Sequence, residues 1–218
     1  MFENVSNLNS FFCRTLNVLL ASFGILILMP LFLAVMPILK FSGEGEIFFK
    51  QARVGKNKKA FSILKFATML KDSPNMAGGT ITVSNDPRVL PFGKLLRATK
   101  INELPQLVNI LIGDMSLVGP RPQALDCFLE FTDYGQDKIT TVKPGLTGIG
   151  SIFFSNEEKL LANFNGDHSK FYGEHVVPYK EILELWAIEQ NELEIYFKSI
   201  LLTILKVCLL YTSPSPRD

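Results

Sequence analysis

The side chains best suited to bind and rearrange phosphate groups lie close together in residues 95–122, LLRATKINELPQLVNILIGDMSLVGPRP. Glu103 and Asp114 are candidate catalytic carboxylates, and Asn102 precedes Glu103 directly. Arg121 stands between two prolines, and a guanidinium held in a stiff turn is suited to contact two phosphate oxygens at once. These residue types predict a phosphate-binding site, whereas a surface arginine in a rigid loop is the structural alternative.

Asn102 and the residues after it also suit the first turn of a helix. Asparagine is a preferred N-cap, an acid favours the first turn and proline is tolerated there. A helix start with Asn102 as its N-cap would therefore explain the sequence Asn-Glu-Leu-Pro without catalysis. The same geometry presents free N–H groups that suit a phosphate, and Arg88, Arg97 and Arg121 are candidate cations for it.

Composition excludes several other kinds of site. The net charge is only +1 over 218 residues, which favours no nucleic-acid partner. Three cysteines without a C-x-x-C pair indicate neither a disulfide framework nor a zinc site. His168 and His175 are seven residues apart in a polar stretch, so we expect ordinary surface histidines and no histidine-dependent hydrolase.

Residues 16–39 form a charge-free apolar run that is long enough to cross about 30 Å of hydrocarbon as a helix. Pro30 and Pro37 interrupt it, and each proline removes a backbone donor. The run is therefore either a single span or a re-entrant helix that bends at Pro30 and leaves by the side it entered. Basic residues dominate the segment after it, which places that segment in the cytoplasm.

The elements that would position these residues can be predicted from periodicity. The runs IFFK, AFSILKF and TITV within residues 46–83 predict a small sheet or hairpin. After Pro91 helices dominate, and one buried helix face is predicted at Leu104, Leu107, Val108 and Leu111.

Two further helices are predicted in the last third of the chain. Ser155 and Glu158 form a candidate capping box before an apolar run. Pro178 opens a long amphipathic helix that reaches about Val207 and ends either in the core or in the membrane interface. The last residues, 208–218, resemble one reading frame of a transposon-end sequencing adapter, so we expect them not to be native.

Three stretches together resemble the bacterial sugar transferase family, the monotopic phosphoglycosyl transferases that start surface glycan assembly. They are FFKQARVGKNKKAFSILKFATM, NDPRVLPFGKLLRATKINELPQLVNILIGDMSLVGPRP and KPGLTGIGS, and they occur in the family's order. The resemblance covers nearly the whole chain, about residues 14–206. It implies a helix-rich α+β fold: a re-entrant membrane helix region over residues 1–43, then a compact cytosolic catalytic domain over residues 44–207 with interfacial amphipathic helices.

The resemblance also implies a reaction. Sugar 1-phosphate moves from a UDP-sugar to polyprenyl (undecaprenyl) phosphate and UMP leaves, with Mg²⁺ assisting, at the cytoplasmic face of the bacterial inner membrane. The product would enter exopolysaccharide, lipopolysaccharide or other glycan biosynthesis, with downstream glycosyltransferases as further partners beside the lipid bilayer. Lys65 and Arg121 fall on the family's phosphate-handling positions, and Asn102 and Glu103 fall on its catalytic Asp-Glu pair.

Three residues depart from the family's pattern: Asn102 replaces the nucleophilic aspartate, Ala67 replaces an arginine, and Asn17 stands where aspartate is frequent. We expect a working variant transferase in which Glu103 or Asp114 supplies the carboxylate. That carboxylate would attack phosphorus, or Glu103 would hold Mg²⁺ while the lipid phosphate attacks directly. The alternative is a catalytically silent membrane protein that binds UDP-sugar or scaffolds other glycan enzymes.

Overall fold

The computed structural model describes residues 2–76, 86–162, 164, 166, 168–190 and 192–212. Within them the fold is α+β and rich in helices, as the sequence predicts, with two small two-stranded sheets. The helices are α1 Phe2–Phe41, α2 Pro91–Ala98, α3 Gln106–Ile112, α4 Leu125–Leu129, α5 Asp133–Ile139, α6 Ile149–Phe153, α7 Glu157–Ala162, α8 His168–Phe171, α9 Val177–Glu189 and α10 Glu192–Thr212. The strands are β1 Phe48–Val54, β2 Ala60–Phe66, β3 Ser116–Val118 and β4 Gly145–Thr147.

Helix α1 packs along most of its length against the rest of the protein. Its buried residues include Cys13, Asn17, Ala21, Val35 and Leu39, spaced to share one helix face. Large apolar side chains are exposed around the rest of the helix. Residues 9–41 have a mean hydropathy of 2.7 over their most apolar window, so this helix is long and apolar enough to cross a membrane. The protein therefore contacts α1 from one side and leaves an apolar surface on the other, which indicates membrane association.

The helix includes both prolines, Pro30 and Pro37, within one continuous element. The sequence allowed either a straight span or a bend at Pro30. The re-entrant path stays a prediction at this point.

The predicted hairpin is confirmed. Strands β1 and β2 pair antiparallel, with Phe48 opposite Phe66 and Val54 opposite Ala60. Phe66 is buried against Phe32 of α1 at a ring-centroid distance of 5.5 Å, and burial of such a side chain contributes about 1.5–3 kcal/mol. The hairpin is thereby fixed to the apolar helix. The run TITV lies outside the described residues.

The buried face of α3 differs from the prediction. Leu107 is buried, but Val108 is exposed, and Asn109 and Ile110 are buried instead. Asn109 is buried because its side chain completes the edge of β2: Oδ1 accepts from the Leu64 N–H at 2.9 Å and Nδ2 donates to the Ser62 carbonyl at 2.8 Å. A hydrophobic pattern cannot reveal a polar side chain whose burial depends on a strand distant in sequence.

Strands β3 and β4 pair in parallel and fix the turn that carries Arg121. The Gly119 N–H donates to the Thr147 carbonyl at 2.9 Å, and the Gly145 N–H donates to the Pro120 carbonyl at 2.8 Å. The two backbones lie so close that a Cβ at Gly119 would clash with the Lys143 carbonyl oxygen. Gly145 and Gly148, both in the stretch KPGLTGIGS, therefore serve close packing between two loops.

The single long helix predicted from Pro178 to about Val207 is wrong. The structure has two helices, α9 and α10, and the C-cap residue Gln190 is extended at φ −76° and ψ 170°. The sequence that follows, Asn-Glu-Leu-Glu, is typical of a helix start, with a capping residue before acids of the first turn. Continuous amphipathic spacing hid this boundary.

Candidate active site

A cavity of about 690 Å³ lies between the hairpin, the turn before α3, α6, α9 and the apolar helices α1 and α10. Its charged lining consists of seven cations and three carboxylates, which gives it an excess of positive charge. They are Arg53, Lys65, Arg97, Lys100, Arg121, Lys180 and Lys206, with Glu103, Glu157 and Glu184. A cavity of this size and sign suits an anionic small molecule.

Glu103 is the centre of the cationic part of the cavity. Its Oε1 accepts a hydrogen bond from Arg121 Nη2 at 2.9 Å and lies 3.5 Å from Lys65 Nζ. The three residues come from different elements, because Lys65 lies on β2, Glu103 in the helical turn before α3, and Arg121 in the turn after β3. The structure thus brings together three of the predicted site residues.

The pKa of Glu103 reflects this surrounding. Burial disfavours the charged carboxylate, but the attraction of Arg121 and Lys65 outweighs burial and lowers the pKa well below its usual range. Glu103 is therefore a carboxylate throughout the physiological pH range. It is available as a charge that holds two cations in place, rather than as a proton donor.

The cations of the cluster crowd one another. Burial is the largest of the causes that lower the pKa of Lys65 to about 8; Glu103 opposes it, while Arg121, Arg53 and Arg97 add to it. Burial also lowers the pKa of Arg53 to about 10, with Arg121 as the next cause. Such crowding is relieved when an anion enters, so the cluster is built to receive more negative charge than Glu103 supplies.

Asn102 lies beside this cluster and is not the N-cap that the sequence suggested. It sits inside a 3₁₀ turn, Ile101–Glu103, because Lys100 adopts a left-handed conformation at φ 59° and starts the turn two residues earlier. Asn102 is 5% exposed, and its Oδ1 is buried without a hydrogen-bond partner among the described residues. Helix capping therefore does not explain why the amide oxygen of Asn102 is buried.

The other predicted site residues divide into two groups. Arg97 lines the cavity, and its Nη1 lies 3.9 Å from Met69 Sδ. Arg88 does not line it: the guanidinium is buried and donates to Asp86 at 2.6 Å and to the Ser73 carbonyl at 3.0 Å. Asp114 does not line it either, since it follows the C-terminal end of α3 whereas Glu103 precedes the N-terminal end.

A second charged cluster lines the cavity beside α6, α7 and α9. Lys180 Nζ donates to Glu157 Oε2 at 2.6 Å and to the Tyr172 hydroxyl at 3.0 Å. Glu184 lies one turn further along α9, where its Oε1 is 3.4 Å from the backbone N of Arg121. Burial raises the pKa of Glu184 to about 7. Arg121 therefore joins the two clusters, through its side chain on one side and its backbone on the other.

One end of the cavity is apolar. Leu20 of α1 and Ile200 and Ile204 of α10 line it, together with Leu117 and Leu146 from the β3–β4 region. The cavity therefore connects a cluster of cations to the helices that carry the exposed apolar surface.

Sequence reasoning missed the second cluster. Lys180 and Glu184 are four residues apart on an amphipathic helix, and such a pair usually lies in solvent. Arg53 belongs to the basic segment after the apolar run, and such charges suit anionic lipid headgroups as well as a nucleotide diphosphate. No local pattern distinguishes these buried side chains from exposed ones.

The chain is similar to a known protein family and to several known proteins. A family model described as bacterial sugar transferase matches residues 8–209. The exopolysaccharide production protein ExoY of Rhizobium meliloti is 39% identical over 158 residues, which cover 66% of this chain and 70% of that protein.

Two longer relatives carry activities in their names. The UDP-glucose:undecaprenyl-phosphate glucose-1-phosphate transferase of Escherichia coli is 35% identical over 150 residues, or 68% of this chain and 32% of that protein. The UDP-N-acetylgalactosamine-undecaprenyl-phosphate N-acetylgalactosaminephosphotransferase of Aeromonas hydrophila is 33% identical over 199 residues, or 89% of this chain and 44% of that protein.

Proposed function

Because the chain belongs to the bacterial sugar transferase family and is a phosphoglycosyl transferase, we propose that it transfers a sugar 1-phosphate from a UDP-sugar to polyprenyl phosphate. UMP is the second product. The observation that carries the proposal is the continuity of one cavity from the Lys65–Glu103–Arg121 cluster to apolar side chains of α1 and α10. A phosphate on a long hydrocarbon chain needs both kinds of surface.

The phosphates of both substrates are held by the cations around Glu103. Arg121 provides a planar guanidinium with parallel donors, and Lys65 provides a compact charge. Both side chains are kept in position by Glu103 before substrate arrives. Preorganised donors of this kind stabilise the charge that develops on the transferring phosphoryl group.

The lipid phosphate attacks the β-phosphorus directly in the reaction we favour. A new P–O bond forms between the lipid phosphate and the β-phosphorus, the bridging bond to the α-phosphate breaks, and that electron pair leaves on UMP. The motivation is that Asn102 supplies an amide, while Glu103 is occupied by two cations at Oε1. A carboxylate with a strongly lowered pKa is a weak nucleophile.

A magnesium ion would fit at the same place. Mg²⁺ prefers oxygen ligands and is often held by one or two protein oxygens together with substrate phosphates. Asn102 Oδ1 is buried without a hydrogen-bond partner among the described residues, and the Glu103 carboxylate is its neighbour in sequence. When bound, the ion would neutralise part of the diphosphate charge. The described residues include no group of three or more His, Cys, Asp or Glu side chains that could hold a metal alone.

Release of UMP tests the proposed function. Purified protein in detergent or nanodiscs is given UDP-glucose, UDP-galactose, UDP-N-acetylglucosamine or UDP-N-acetylgalactosamine, each with and without undecaprenyl phosphate. We expect UMP only when a suitable donor and the acceptor are both present. Binding of a UDP-sugar without UMP release would favour the silent binding protein. A stoichiometric burst of UMP without acceptor would instead identify a covalent enzyme intermediate.

The membrane topology is part of the proposal. We propose that α1 enters and leaves by the cytoplasmic face, supported by a protein-contacting face that runs from Cys13 to Leu39. Single cysteines near Glu3 and near Gly43, in a cysteine-free background, should both be protected from an impermeant periplasmic reagent. Labelling near Glu3 alone would mean that α1 is an ordinary span.

A further inference from the structure

Buried polar atoms without partners concentrate in the cavity. Among the described residues five buried side-chain atoms make no hydrogen bond, and four of them belong to residues that line the cavity: Arg53 Nε, Asn102 Oδ1, Ser151 Oγ and Ser155 Oγ. The fifth, Ser199 Oγ, belongs to a residue outside it. Buried polar groups are nearly always paired, so an exception needs an explanation such as a missing ligand.

No hydrogen bond within the described part of the protein explains why the hydroxyls of Ser151 and Ser155 are buried. The predicted capping box at Ser155 is wrong, because α7 begins at Glu157 and Ser155 Oγ bonds to nothing among the described residues. Ser151 lies within α6, and its hydroxyl makes no bond to the preceding turn. Both hydroxyls are buried at a cost that the folded protein alone does not recover.

Glu157 completes this group. Lys180 holds its Oε2 at 2.6 Å, and Lys180 is itself fixed by the Tyr172 hydroxyl and lies 4.8 Å from the centre of the Tyr172 ring. The Oε1 atom of Glu157 makes no hydrogen bond among the described residues, so a fixed acceptor lines the same cavity as two hydroxyls that donate or accept.

This group suits an uncharged ligand rich in hydroxyls. A phosphate would meet the carboxylates of Glu157 and Glu184, whereas the Lys65–Glu103–Arg121 cluster offers it an excess of cations. Carboxylate and hydroxyl groups together match the alternating donors and acceptors of a sugar ring.

We propose that Ser151, Ser155 and Glu157 form the subsite that binds the hydroxyl groups of the donor's sugar. The proposal rests on the proposed function, since it takes a UDP-sugar as the ligand of this cavity. The diphosphate then lies at the cationic cluster, and Arg121 lies between the two parts of the donor, because it contacts Glu103 through its side chain and Glu184 through its backbone.

The test separates sugar binding from nucleotide binding and from folding. Ser151→Ala, Ser155→Ala and the double variant are compared with Ser199→Ala, which removes a buried, unpartnered hydroxyl outside the cavity. Affinities for the best UDP-sugar and for UMP are measured by calorimetry, and unfolding temperatures are measured without ligand.

We expect each single cavity variant to weaken UDP-sugar binding roughly 3- to 10-fold, the range for one net hydrogen bond, and the double variant to weaken it more. UMP affinity should stay within about twofold, and no variant should unfold at a lower temperature, because each lost hydroxyl had no partner. Ser199→Ala should leave both affinities unchanged. An equal loss for UMP and UDP-sugar, or no loss for either, would overturn the subsite.

The outcome is distinguishable from failure of the proposed function. Wild-type protein that binds UDP-sugar but never releases UMP would refute the transferase reaction while the serine variants still test the subsite. Normal UMP release with serine variants that match wild type would refute the subsite alone. Wild-type protein that binds none of the four UDP-sugars would overturn both.

Discussion

Two partly buried carboxylates, Glu103 and Glu157, line the same cavity, and the net charge of their surroundings differs. Glu103 meets Arg121 and Lys65 at one oxygen, with Arg53, Arg97 and Lys100 also lining the cavity. Glu157 meets one cation, Lys180, and shares its side of the cavity with a further acid, Glu184. The first cluster carries surplus positive charge and the second does not.

The same side chain, a glutamate beside basic residues, can thus bind an anion in one place and hydroxyl groups in another. A glutamate with more cations than it can neutralise prepares a place for an anion. A glutamate matched by a single lysine becomes a fixed, neutralised acceptor that can bind hydroxyl groups without attracting phosphate. In the proposed complex, the balance of charge around each carboxylate, rather than the carboxylate itself, decides which end of the donor binds there.

Glu103→Gln should have the largest effect, and comparing it with Glu157→Gln tests the difference between the two glutamates. The amide keeps the shape of the side chain but no longer holds Arg121 and Lys65, so we expect UMP release to fall about 100-fold or more, the scale for losing preorganised electrostatic stabilisation. Glu157→Gln should raise the KM for the donor with a smaller effect on kcat. Glu189→Gln, at an exposed position of the same helix as Lys180, is the matched control. Equal kcat losses in the first two variants would refute the distinction.

Arg121→Lys should have the second-largest effect on UMP release. It keeps the charge but replaces a planar fork with a single ammonium. We expect a loss of about 2–3 kcal/mol in transition-state stabilisation, roughly 30- to 150-fold in kcat/KM. Steady-state UMP release measures it. Near-normal kcat/KM with lysine would mean that the turn is only structural.

The pH dependence tests the cation surplus. The pKa of Lys65 is about 8, so its charge is present below that pH and is lost as pH rises through it. Since kcat/KM reports the free enzyme, it should fall about tenfold per pH unit above pH 8. Lys65→Arg remains charged there, and its alkaline limb should flatten even if its absolute activity is lower. An unchanged limb in that variant would assign the titration to another group.

Asn102→Asp should have the smallest effect of the four. Asn102 neither caps a helix nor makes a hydrogen bond through Oδ1 among the described residues, so folding should be little changed. If the lipid phosphate attacks directly, the added carboxylate should change UMP release by only a few-fold. An inactive wild type that this substitution rescues would refute the working variant and favour the silent protein.

The sequence predicted the Glu103 cluster but not the Glu157 cluster, because only the Glu103 cluster lies in segments with a recognisable local pattern. Glu103 and Arg121 occur within a recognisable motif 18 residues apart, and the hairpin that carries Lys65 has strong strand patterning. Lys180 and Glu157 are 23 residues apart with no motif between them. Their burial depends on how α7 and α9 pack, which a helical spacing does not specify.

Polar residues with tertiary partners caused the other misses. Val108 was expected inside, but Asn109 is buried there because β2 offers its side chain two backbone partners. Asn102 was expected to cap a helix, but the left-handed Lys100 starts the turn earlier. In both cases a partner or backbone conformation outside the local pattern decided the outcome.

The bonds of Asn17 have a consequence for the order of synthesis. Its amide, deep in the first helix, bonds to Ser116 Oγ and the Leu117 N–H, and its Oδ1 also accepts from the Tyr196 hydroxyl, 179 residues away. At ordinary translation rates of about 5–20 residues per second, Tyr196 follows Asn17 by roughly 10–35 s. Until then the buried amide of Asn17 lacks one of its hydrogen-bond partners. Chains stalled before α10 should therefore be more sensitive to protease than chains that include α10.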